Sequence, residues 1–295
     1  MTQLRAVFLL GTIVCVFPFA HAYKFVDLSH PLSPSTLYWP GVPTFNRTRV
    51  MGGTNENNVW IEVGVFSSGE HGGTHIDVPR HFIRDGYDLK DFPLERTVAE
   101  GVMVDCSDEA AANYDYAVTV EKLTQWEEEH GRIPDEAAVL LNFGYASKFS
   151  DHNAYLNTQD PSDASTFHFP FISADAAQWL VDNRKLKMIG MDVPSPDAPI
   201  SSTYPTHLIF LPKNILIMEN VNIPDSLPPR DFRVHSSPLK IEDGTGAQTR
   251  IYAMLYEKMD GGSARLCMQS SVLFVASLVV ASAVVDILTG GRIRG

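Results

Sequence analysis

Cysteine is scarce in this chain of 295 residues, which contains only three. Cys15 lies in an apolar segment at the beginning and Cys267 in another near the end, so Cys106 is the only cysteine between them. No disulfide can therefore form within the central part, and a metal site made of several thiolates is excluded there. Cys106 closely follows the apolar residues 102–104, a position typical of a buried strand end rather than of a nucleophile.

Basic residues are also in the minority. The 23 Lys and Arg stand against 35 Asp and Glu, which gives a formal net charge of −12. No stretch of the chain is rich in Lys and Arg. Because such a charge repels phosphate groups, we exclude nucleic acid as a partner. The same negative field favours a bound metal cation.

Long apolar runs are confined to the two ends. Residues 6–20 follow Arg5 and lead into the small-residue pattern Ala20-His21-Ala22, which predicts a secretory signal peptide over residues 1–22. A retained membrane anchor is the alternative, although the run is short for a span. We expect the folded body to begin at Tyr23.

Residues 272–288 form the second apolar segment, which Arg292 and Arg294 follow. A linker at residues 258–271 is predicted to separate it from the body at residues 23–257. The segment suits a lipid-anchor signal and, equally, a membrane span with a short cytoplasmic end. Both predict a protein of the secretory pathway that is anchored to a membrane on its extracellular or lumenal side.

The sequon Asn46-Arg47-Thr48 agrees with that location. It lies in a polar stretch flanked by prolines, which we predict to be a loop. The pattern predicts glycosylation at Asn46.

The chain does contain a dense group of metal-ligating side chains, because His71, His75, Asp77 and His81 fall within eleven residues. Residues 74–78 are predicted to form a short strand, in which alternation places His75 and Asp77 on the same face. Glycines at positions 72 and 73 let the chain fold back towards them, and Pro79 turns it before His81. The four side chains are therefore predicted to converge.

Imidazole and carboxylate donors suit zinc, manganese or iron, and the lack of cysteine favours an open catalytic site. The alternative is a set of ordinary surface or core histidines in a glycine-rich loop. Because one short loop cannot supply every ligand without strain, further ligands are expected downstream. His207 and Glu219 each adjoin an apolar run, where an unpaired carboxylate would be costly to bury.

The rest of the pattern predicts an α/β fold, a single domain with a mixed β-sheet and flanking helices. Strands are predicted at residues 24–28, 59–65, 98–104, 137–142 and 186–193. Helices are predicted at residues 120–130, with Thr119 as N-cap and Gly131 as the stop, and from Ser173 to about Arg184. We also expect a long loop at residues 145–169 and a closing hairpin formed by residues 240–241 and 249–255.

The run from His71 to Phe82, HGGTHIDVPRHF, resembles the signature of the metal-dependent cyclase family, which includes bacterial-type kynurenine formamidases and isatin hydrolases. Other stretches similar to the family follow in the same order at residues 26–32, 39–43, 190–197 and 238–241. The resemblance covers residues 24–257. It implies the swivelling β/β/α-like fold of that family.

The resemblance also implies a metal site with one or two zinc or manganese ions. Asp77 is the expected bridge if two ions bind, because a carboxylate can coordinate through both oxygens. The implied ligands are His71, His75, Asp77, His207 and Glu219.

Further roles are implied for residues around the metal. His81 is expected to be the general acid and base, a task that imidazole performs near neutral pH. A fourth ligand of the loop, or an ordinary loop histidine, is the alternative. Trp39 is implied to lie beside the substrate, and a homodimer is the implied assembly. Asp192 matches a family stretch in which it either orients a ligand histidine or belongs to a turn.

The activity implied is hydrolysis of a C–N amide bond, with a small-molecule amide as the substrate. The expected substrates are an aryl formamide such as N-formylkynurenine or, alternatively, a cyclic amide such as isatin. The rival hypothesis is a catalytically inert cell-surface binding protein that keeps the fold and uses the metal for structure alone.

Overall fold

Strands dominate the computed structural model of the protein, which describes residues 22–257. The strands are β1 (Ala22–Asp27), β2 (Asn46–Thr54), β3 (Trp60–Ser67), β4 (His75–Asp77), β5 (Val98–Asp105), β6 (Ala117–Val118), β7 (Ala138–Asn142), β8 (Phe171–Ile172), β9 (Met188–Met191), β10 (Leu216–Glu219), β11 (Phe232–Ser236), β12 (Gly246–Gln248) and β13 (Ile251–Glu257). Nine of them form one mixed sheet in the order β1-β13-β11-β5-β7-β9-β10-β4-β12. The mixed sheet predicted from the sequence is thereby confirmed.

The middle of this sheet is parallel and its flanks are antiparallel. β5, β7, β9 and β10 pair in parallel with one another in that order. The residues of β7 are all buried, as a continuous apolar run predicts for a strand covered on both faces. β11 and β13 continue the sheet antiparallel on one side, and β4 and β12 do so on the other.

The helices are α1 (Ser107–Ala112), α2 (Val120–His130), α3 (His152–Tyr155), α4 (Ala174–Arg184) and α5 (Pro205–Phe210). The two helices predicted from the sequence, α2 and α4, are confirmed together with their caps. The side chain of Thr119 accepts a hydrogen bond from the backbone N–H of Lys122, and that of Ser173 accepts one from Ala176. Gly131 ends α2 with a φ of +84°, a conformation that favours glycine.

Alternate residues of the central strands supply two separate apolar cores. Val139 and Leu141 of β7 pack with Leu123 of α2 and Leu180 of α4 on the helix-covered face. Leu140 faces the other way and packs with residues of β9, β10, β11 and β13 inside the curled sheet. Residues Lys24–Leu255 form one compact unit around these cores.

Three local predictions need correction. β3 does not join the nine-stranded sheet and pairs only with β2 within the described residues, so β4 alone connects the histidine motif to the sheet. Residues 240–241 form no strand, because β12 pairs with β4 and β13 with β11 instead of forming a hairpin. The stretch 145–169, which was predicted to be a long loop, contains α3 and buries Tyr145, Tyr155 and Phe169 in the core.

The predicted terminal segments lie outside the described residues. These are residues 1–21 of the signal peptide, the linker at residues 258–271 and the apolar segment at residues 272–288. Within residues 22–257, no helix is both long and apolar enough to cross a membrane.

Candidate metal centre

β4 holds the first two members of the centre on one side of its short backbone. His75 and Asp77 are 2% and 1% exposed, and Ile76 between them points into the core inside the curled sheet. This is the alternation that the sequence predicted. β4 lies between β10 and β12, and its register with β10 places Glu219 directly opposite His75. The sheet therefore brings a carboxylate from a distant part of the chain next to the histidine motif.

His71 returns to the same point through the turn before β4. Gly73 has a φ of +59°, a left-handed conformation that costs glycine little free energy because it has no side chain. Nδ1 of His71 then lies 2.7 Å from Oδ1 of Asp77. On the opposite strand, a Cβ atom at Gly246 would stand 2.4 Å from the His71 ring, so β12 needs glycine there to accommodate the imidazole.

His207 enters from above the sheet on the short helix α5. Its Nε2 atom lies 3.3 Å from Oδ2 of Asp77 and 3.5 Å from Oε1 of Glu219. Nε2 of His75 lies 3.4 Å from Oδ1 of Asp77 and 3.3 Å from Oε2 of Glu219. The two carboxylates are thus shared among the histidines, with Asp77 at the middle of the group.

Polar atoms that are buried without a hydrogen-bond partner show that these residues fit a bound metal ion. Nε2 of His75 and Oδ2 of Asp77 are buried and have no hydrogen-bond partner, an arrangement that is costly unless a cation is coordinated between them. The ligating atoms of His71, His75 and Asp77 lie within 4.8 Å of one another, and so do those of Asp77, His81 and His207. Asp77 belongs to both groups, which accommodates either one ion or two that share this carboxylate.

The two buried carboxylates of the centre also favour a positive charge beside them. Burial alone would lower the pKa of His75, but the neighbouring carboxylates of Asp77 and Glu219 raise it to about 10. The two buried carboxylates therefore stabilise a cation at this point. Imidazole and carboxylate donors without thiolate suit a divalent transition metal.

Each of the three histidines around Asp77 has one ring nitrogen held by a hydrogen bond outside the centre. Nδ1 of His75 bonds the carbonyl oxygen of Gly73 at 2.9 Å, and Nδ1 of His207 bonds Oδ2 of Asp197 at 2.6 Å. These acceptors require a proton on Nδ1, so Nε2 of each ring is the atom available to ligate a cation beside Asp77 and Glu219. This is the arrangement by which proteins orient metal-ligating histidines.

A hydroxyl group orients His71, and the two ring nitrogens have exchanged roles: Nε2 is bonded outside the centre and Nδ1 faces Asp77. Its Nε2 atom lies 2.9 Å from Oγ1 of Thr245, and that hydroxyl donates in turn to the carboxylate of Glu70. Because Glu70 can only accept, the Thr245 oxygen accepts from Nε2 of His71, and the lone pair of the ring lies on Nδ1. Nδ1 is the atom that faces Asp77.

His81 lies in the turn after β4, where Pro79–His81 forms one turn of 3-10 helix. Its ring stacks on that of His71 at a centroid distance of 3.8 Å. Burial lowers the pKa of His81 to about 4, against the attraction of Asp77, so the ring is neutral at neutral pH. This position beside Asp77 and His207 is compatible with either role predicted for His81, proton transfer or metal ligation.

A cavity of about 280 Å³ opens onto the centre. Four of the five proposed ligands, all but Asp77, and also His81 reach its surface, and the remaining wall includes five aromatic side chains. Trp39 meets Phe167 edge to face at 5.3 Å, and the Phe82 ring stacks on that of His207 at 4.4 Å. The sequence singled out Trp39 and missed Phe167, which lies in the stretch predicted to be a long loop. The aromatic lining is formed by Tyr38, Trp39, Phe82, Phe167 and Tyr204.

Asp192 does not orient a ligand histidine. Its carboxylate accepts hydrogen bonds from the backbone N–H groups of Phe143, Tyr145 and Ala146, so it holds the loop after β7. The residue that orients His207 is Asp197, which ends the same motif. The sequence alone offered no way to choose between two aspartates five positions apart, because which one meets α5 depends on the path of the loop.

Two further predicted positions lie away from the centre. Asn46 is exposed as the first residue of β2, so it belongs to a strand and not to the predicted loop, while its side chain remains accessible. Cys106 is fully buried, and burial raises the pKa of its thiol. The buried strand end predicted for Cys106 is confirmed.

Comparison with known proteins agrees with this geometry. The model of the family described as putative cyclase matches residues 26–198. Isatin hydrolase of Roseibium aggregatum is 30% identical over 196 residues, which cover 63% of this chain and 72% of that protein. Kynurenine formamidase of Bacillus mycoides is 26% identical over 230 residues, which cover 77% of this chain and 95% of that protein.

Solved structures give the same result for the fold. Isatin hydrolase A from Ralstonia solanacearum has a TM-score of 0.72 and 32% identity, and the match covers 79% of this chain and 92% of that one. An isatin hydrolase bound to the product analogue thioisatinate has a TM-score of 0.72 and 26% identity, over 80% and 93% of the two chains. The chain belongs to the cyclase family, and it is a hydrolase of that family.

Proposed function

We propose that this protein hydrolyses the C–N amide bond of an aryl formamide of the N-formylkynurenine type. The observation that carries the proposal is the position of the cavity, which combines an aromatic wall with a buried group of three histidines and two carboxylates. We propose that a flat aryl ring packs against this wall, which includes Trp39 and Phe82, with its amide group directed at the imidazoles. The kynurenine formamidases among the relatives support this substrate class.

The proposed ligands are His71, His75, Asp77, His207 and Glu219, and the proposed metal is zinc or manganese, with one or two ions. A bound divalent ion supplies Lewis acidity towards the amide carbonyl and towards water. The chain supplies the rest. Asp197, Gly73 and Thr245 keep the imidazoles in the orientations that direct one lone pair of each into the centre.

His81 is the proposed general acid and base. It lies beside the ligands without a hydrogen bond that would tie either ring nitrogen to the protein within the described residues, so the ring is free to exchange a proton. We propose that it removes a proton from the attacking water and delivers one to the leaving aniline nitrogen. Trp39 is the proposed stacking partner of the aryl ring.

A cyclic amide of the isatin type is the second candidate substrate. Isatin hydrolases are 30% identical in sequence and reach a TM-score of 0.72 in structure. Opening a lactam requires the same attack on an amide carbonyl, with the difference that the leaving nitrogen stays attached to the product. The aromatic wall accommodates both flat substrates.

Turnover of the two substrates by the purified full-length protein tests the proposal. We expect hydrolysis of N-formylkynurenine, loss of activity with a metal chelator, and recovery on adding zinc or manganese. Faster turnover of isatin would assign the cyclic amide instead. A folded protein that retains its metal but leaves both compounds and a broader amide panel intact would support the rival hypothesis, an inert binding protein.

We also propose that the protein enters the secretory pathway and is anchored to a membrane with its catalytic domain outside the cell or in a lumen. The support is the pattern of residues 1–22 and 272–288 and the exposed sequon at Asn46. Release from membranes by a phosphatidylinositol-specific phospholipase would identify a lipid anchor, and a C-terminal tag in the cytosol would identify a span. A soluble extracellular protein that keeps its intact tail would refute both.

A further inference from the structure

Two hydroxyl groups on the wall of the cavity donate no hydrogen bond to any of the described residues. Tyr204 lines the cavity and is 43% exposed, and its phenol group has no hydrogen-bond partner within residues 22–257. Ser195 also lines the cavity, and its oxygen accepts a hydrogen bond from the backbone N–H of Asp197 at 3.2 Å. The protons of both hydroxyls are therefore available to a bound molecule.

Both hydroxyls belong to the loop between β9 and α5, residues 192–204, which is tied to the metal centre. Asp197 of this loop accepts a hydrogen bond from Nδ1 of His207 at 2.6 Å and others from backbone N–H groups in the first turn of α5. The loop that orients a proposed ligand histidine thus also carries Ser195 and Tyr204. Their positions relative to the centre are set by the same contacts.

The backbone of Tyr204 has a conformation that this type of residue rarely adopts. Its φ of +48° and ψ of +50° lie in the left-handed region, and Pro205 follows directly. The backbone N–H of Tyr204 donates to Oγ of Ser201 at 3.2 Å, which helps to hold this conformation. The ring packs on Phe82 at 5.2 Å and lies 6.3 Å from the ring of His207. Strained residues of this kind are concentrated at functional sites.

The cavity wall outside the metal centre carries no charge among the described residues. Neither lysine nor arginine lines it, and its polar side chains there are Tyr38, Trp39, Ser195, Tyr204 and Asn220, all of them neutral. A carboxylate that packed against this wall would lose water without gaining an opposite charge, which is costly. The wall therefore favours a substrate whose enclosed part is uncharged.

N-formylkynurenine and isatin share a neutral carbonyl group beside the amide. In both molecules a ketone is attached to the aryl ring at the position ortho to the amide nitrogen. A ketone oxygen has two lone pairs. In the formamide one of them is taken by the neighbouring amide N–H, and the second remains for a hydroxyl donor. The hydroxyls of Tyr204 and Ser195 are donors of that kind.

We infer that Tyr204 and Ser195 determine specificity by binding this ketone, so that the substrate class is an aryl amide with a neutral acyl group ortho to its nitrogen. The inference rests on the proposed function, because it concerns the same cavity and the same amide bond. A hydrogen bond to the ketone oxygen fixes the rotation of the aryl ring and thereby directs the amide carbonyl at the centre. The amino acid end of N-formylkynurenine stays in solvent at the mouth of the cavity and is not needed for recognition.

Two isomeric formanilides test the inference on the purified full-length protein loaded with metal. ortho-Formamidoacetophenone has the ketone beside the amide and lacks the amino acid end. para-Formamidoacetophenone activates the amide similarly but carries the ketone on the far side of the ring. We expect kcat/KM for the ortho isomer to exceed that for the para isomer at least about tenfold, and to lie within about threefold of that for N-formylkynurenine.

Variants at the two hydroxyls identify the groups that read the ketone. Tyr204→Phe keeps the ring and should lower the ortho-to-para ratio of kcat/KM about 2–10-fold, as loss of one neutral hydrogen bond predicts. Ser195→Ala should have an effect of the same size, and the double variant a larger one. Tyr114→Phe is the matched control, because Tyr114 is exposed and outside the cavity lining, and it should keep the wild-type ratio.

Three kinetic outcomes would overturn the inference. The first is a wild-type ratio near one, which would show that the position of the ketone is not read. The second is an unchanged ratio in the double variant, which would remove Tyr204 and Ser195 from recognition. The third is a kcat/KM for N-formylkynurenine that far exceeds the value for the ortho isomer, which would show that the amino acid end is recognised.

Binding of the products separates this inference from the proposed function. ortho-Aminoacetophenone and para-aminoacetophenone contain no amide, so their affinities, measured by calorimetry, do not depend on turnover. We expect the ortho isomer to bind more tightly and Tyr204→Phe to weaken that preference. A protein that hydrolyses neither formanilide and still prefers the ortho product would refute the proposed function and support the ketone subsite. A protein that hydrolyses both formanilides equally and binds both products equally would retain the proposed function and overturn the subsite.

Discussion

The hairpin of β2 and β3, residues 46–67, which we call the arm, and the metal centre are consecutive in the chain, and they differ in almost every physical respect. β3 ends at Ser67 and the motif begins at His71, yet β3 is exposed along its whole length while β4 is entirely buried. Both strands show alternation, with valine and isoleucine facing one way in the arm and His75 and Asp77 facing one way in β4. The difference arises because β4 has β10 and β12 on its two sides, whereas β3 pairs with β2 alone among the strands of residues 22–257.

This difference teaches how each region is stabilised. In the centre, the ring nitrogens of His71, His75 and His207 that face away from Asp77 each have a partner inside the same chain, so the fold itself preorganises these three side chains. In the arm, Arg47 pairs with Glu62, and the apolar side chains of β3 remain exposed. Substitutions in the centre should therefore act on metal binding and turnover, and substitutions on the arm should leave both unchanged.

The largest effect is expected from removing a carboxylate of the centre. Glu219→Ala should lose most of its bound metal and its measurable turnover, because His75 and His207 then face one carboxylate instead of two. Elemental analysis and turnover of the purified variant measure both quantities. Glu62→Ala, which removes a carboxylate from the arm, is the matched control and should retain both. Full metal occupancy in Glu219→Ala would remove this residue from the ligand set.

The next largest effect is expected at His81. His81→Ala should keep its metal and its fold while kcat falls by about 10²–10⁴, the range typical for loss of a general acid and base. Metal content and the circular dichroism spectrum provide the comparison with wild type. His152→Ala, a substitution at a histidine outside the centre, should leave kcat unchanged. Loss of metal in His81→Ala would make this residue a ligand, and near-normal turnover would make it a bystander.

A smaller effect is expected from Asp197, which touches His207 but not the cavity. Asp197→Ala should weaken metal affinity by about 10–100-fold, because the imidazole loses the acceptor that fixes its proton on Nδ1. Competition with a chromogenic chelator measures the affinity without relying on turnover. Asp197→Asn, whose amide oxygen still accepts a hydrogen bond, should recover part of the loss. Equal affinities for Asp197→Ala and wild type would show that His207 needs no such support.

The smallest effect is expected from Thr245, whose neutral hydroxyl oxygen accepts a hydrogen bond from Nε2 of His71. Thr245→Val conserves the shape of the side chain and should lower metal affinity by about 2–10-fold, as loss of one neutral hydrogen bond predicts. Thr245→Ser should restore the affinity, since it returns the hydroxyl. The same chelator competition measures both variants, and an effect larger than that of Asp197→Ala would reverse the ranking of the two contacts.

Much of the architecture was predictable because it depends on local rules. The caps at Thr119 and Ser173 and the apolar run of β7 identify their elements without reference to the rest of the chain. The convergence of His75 and Asp77 follows from strand alternation, and the glycines before them account for the return of His71. The position of β3 outside the nine-stranded sheet was not predictable, since the alternation of residues 59–65 is equally consistent with a strand inside that sheet.

The sequence by itself determined the fold class, the family resemblance and the side chains able to hold a metal, because periodicity, caps and donor chemistry are properties of short stretches. Only the tertiary structure decided which aspartate orients His207, that Thr245 and Glu70 support His71, and that Phe167 lines the cavity. These contacts join residues that lie far apart in the chain or in loops without periodicity. Their meeting depends on the paths of those loops and on strand order, which no local pattern encodes.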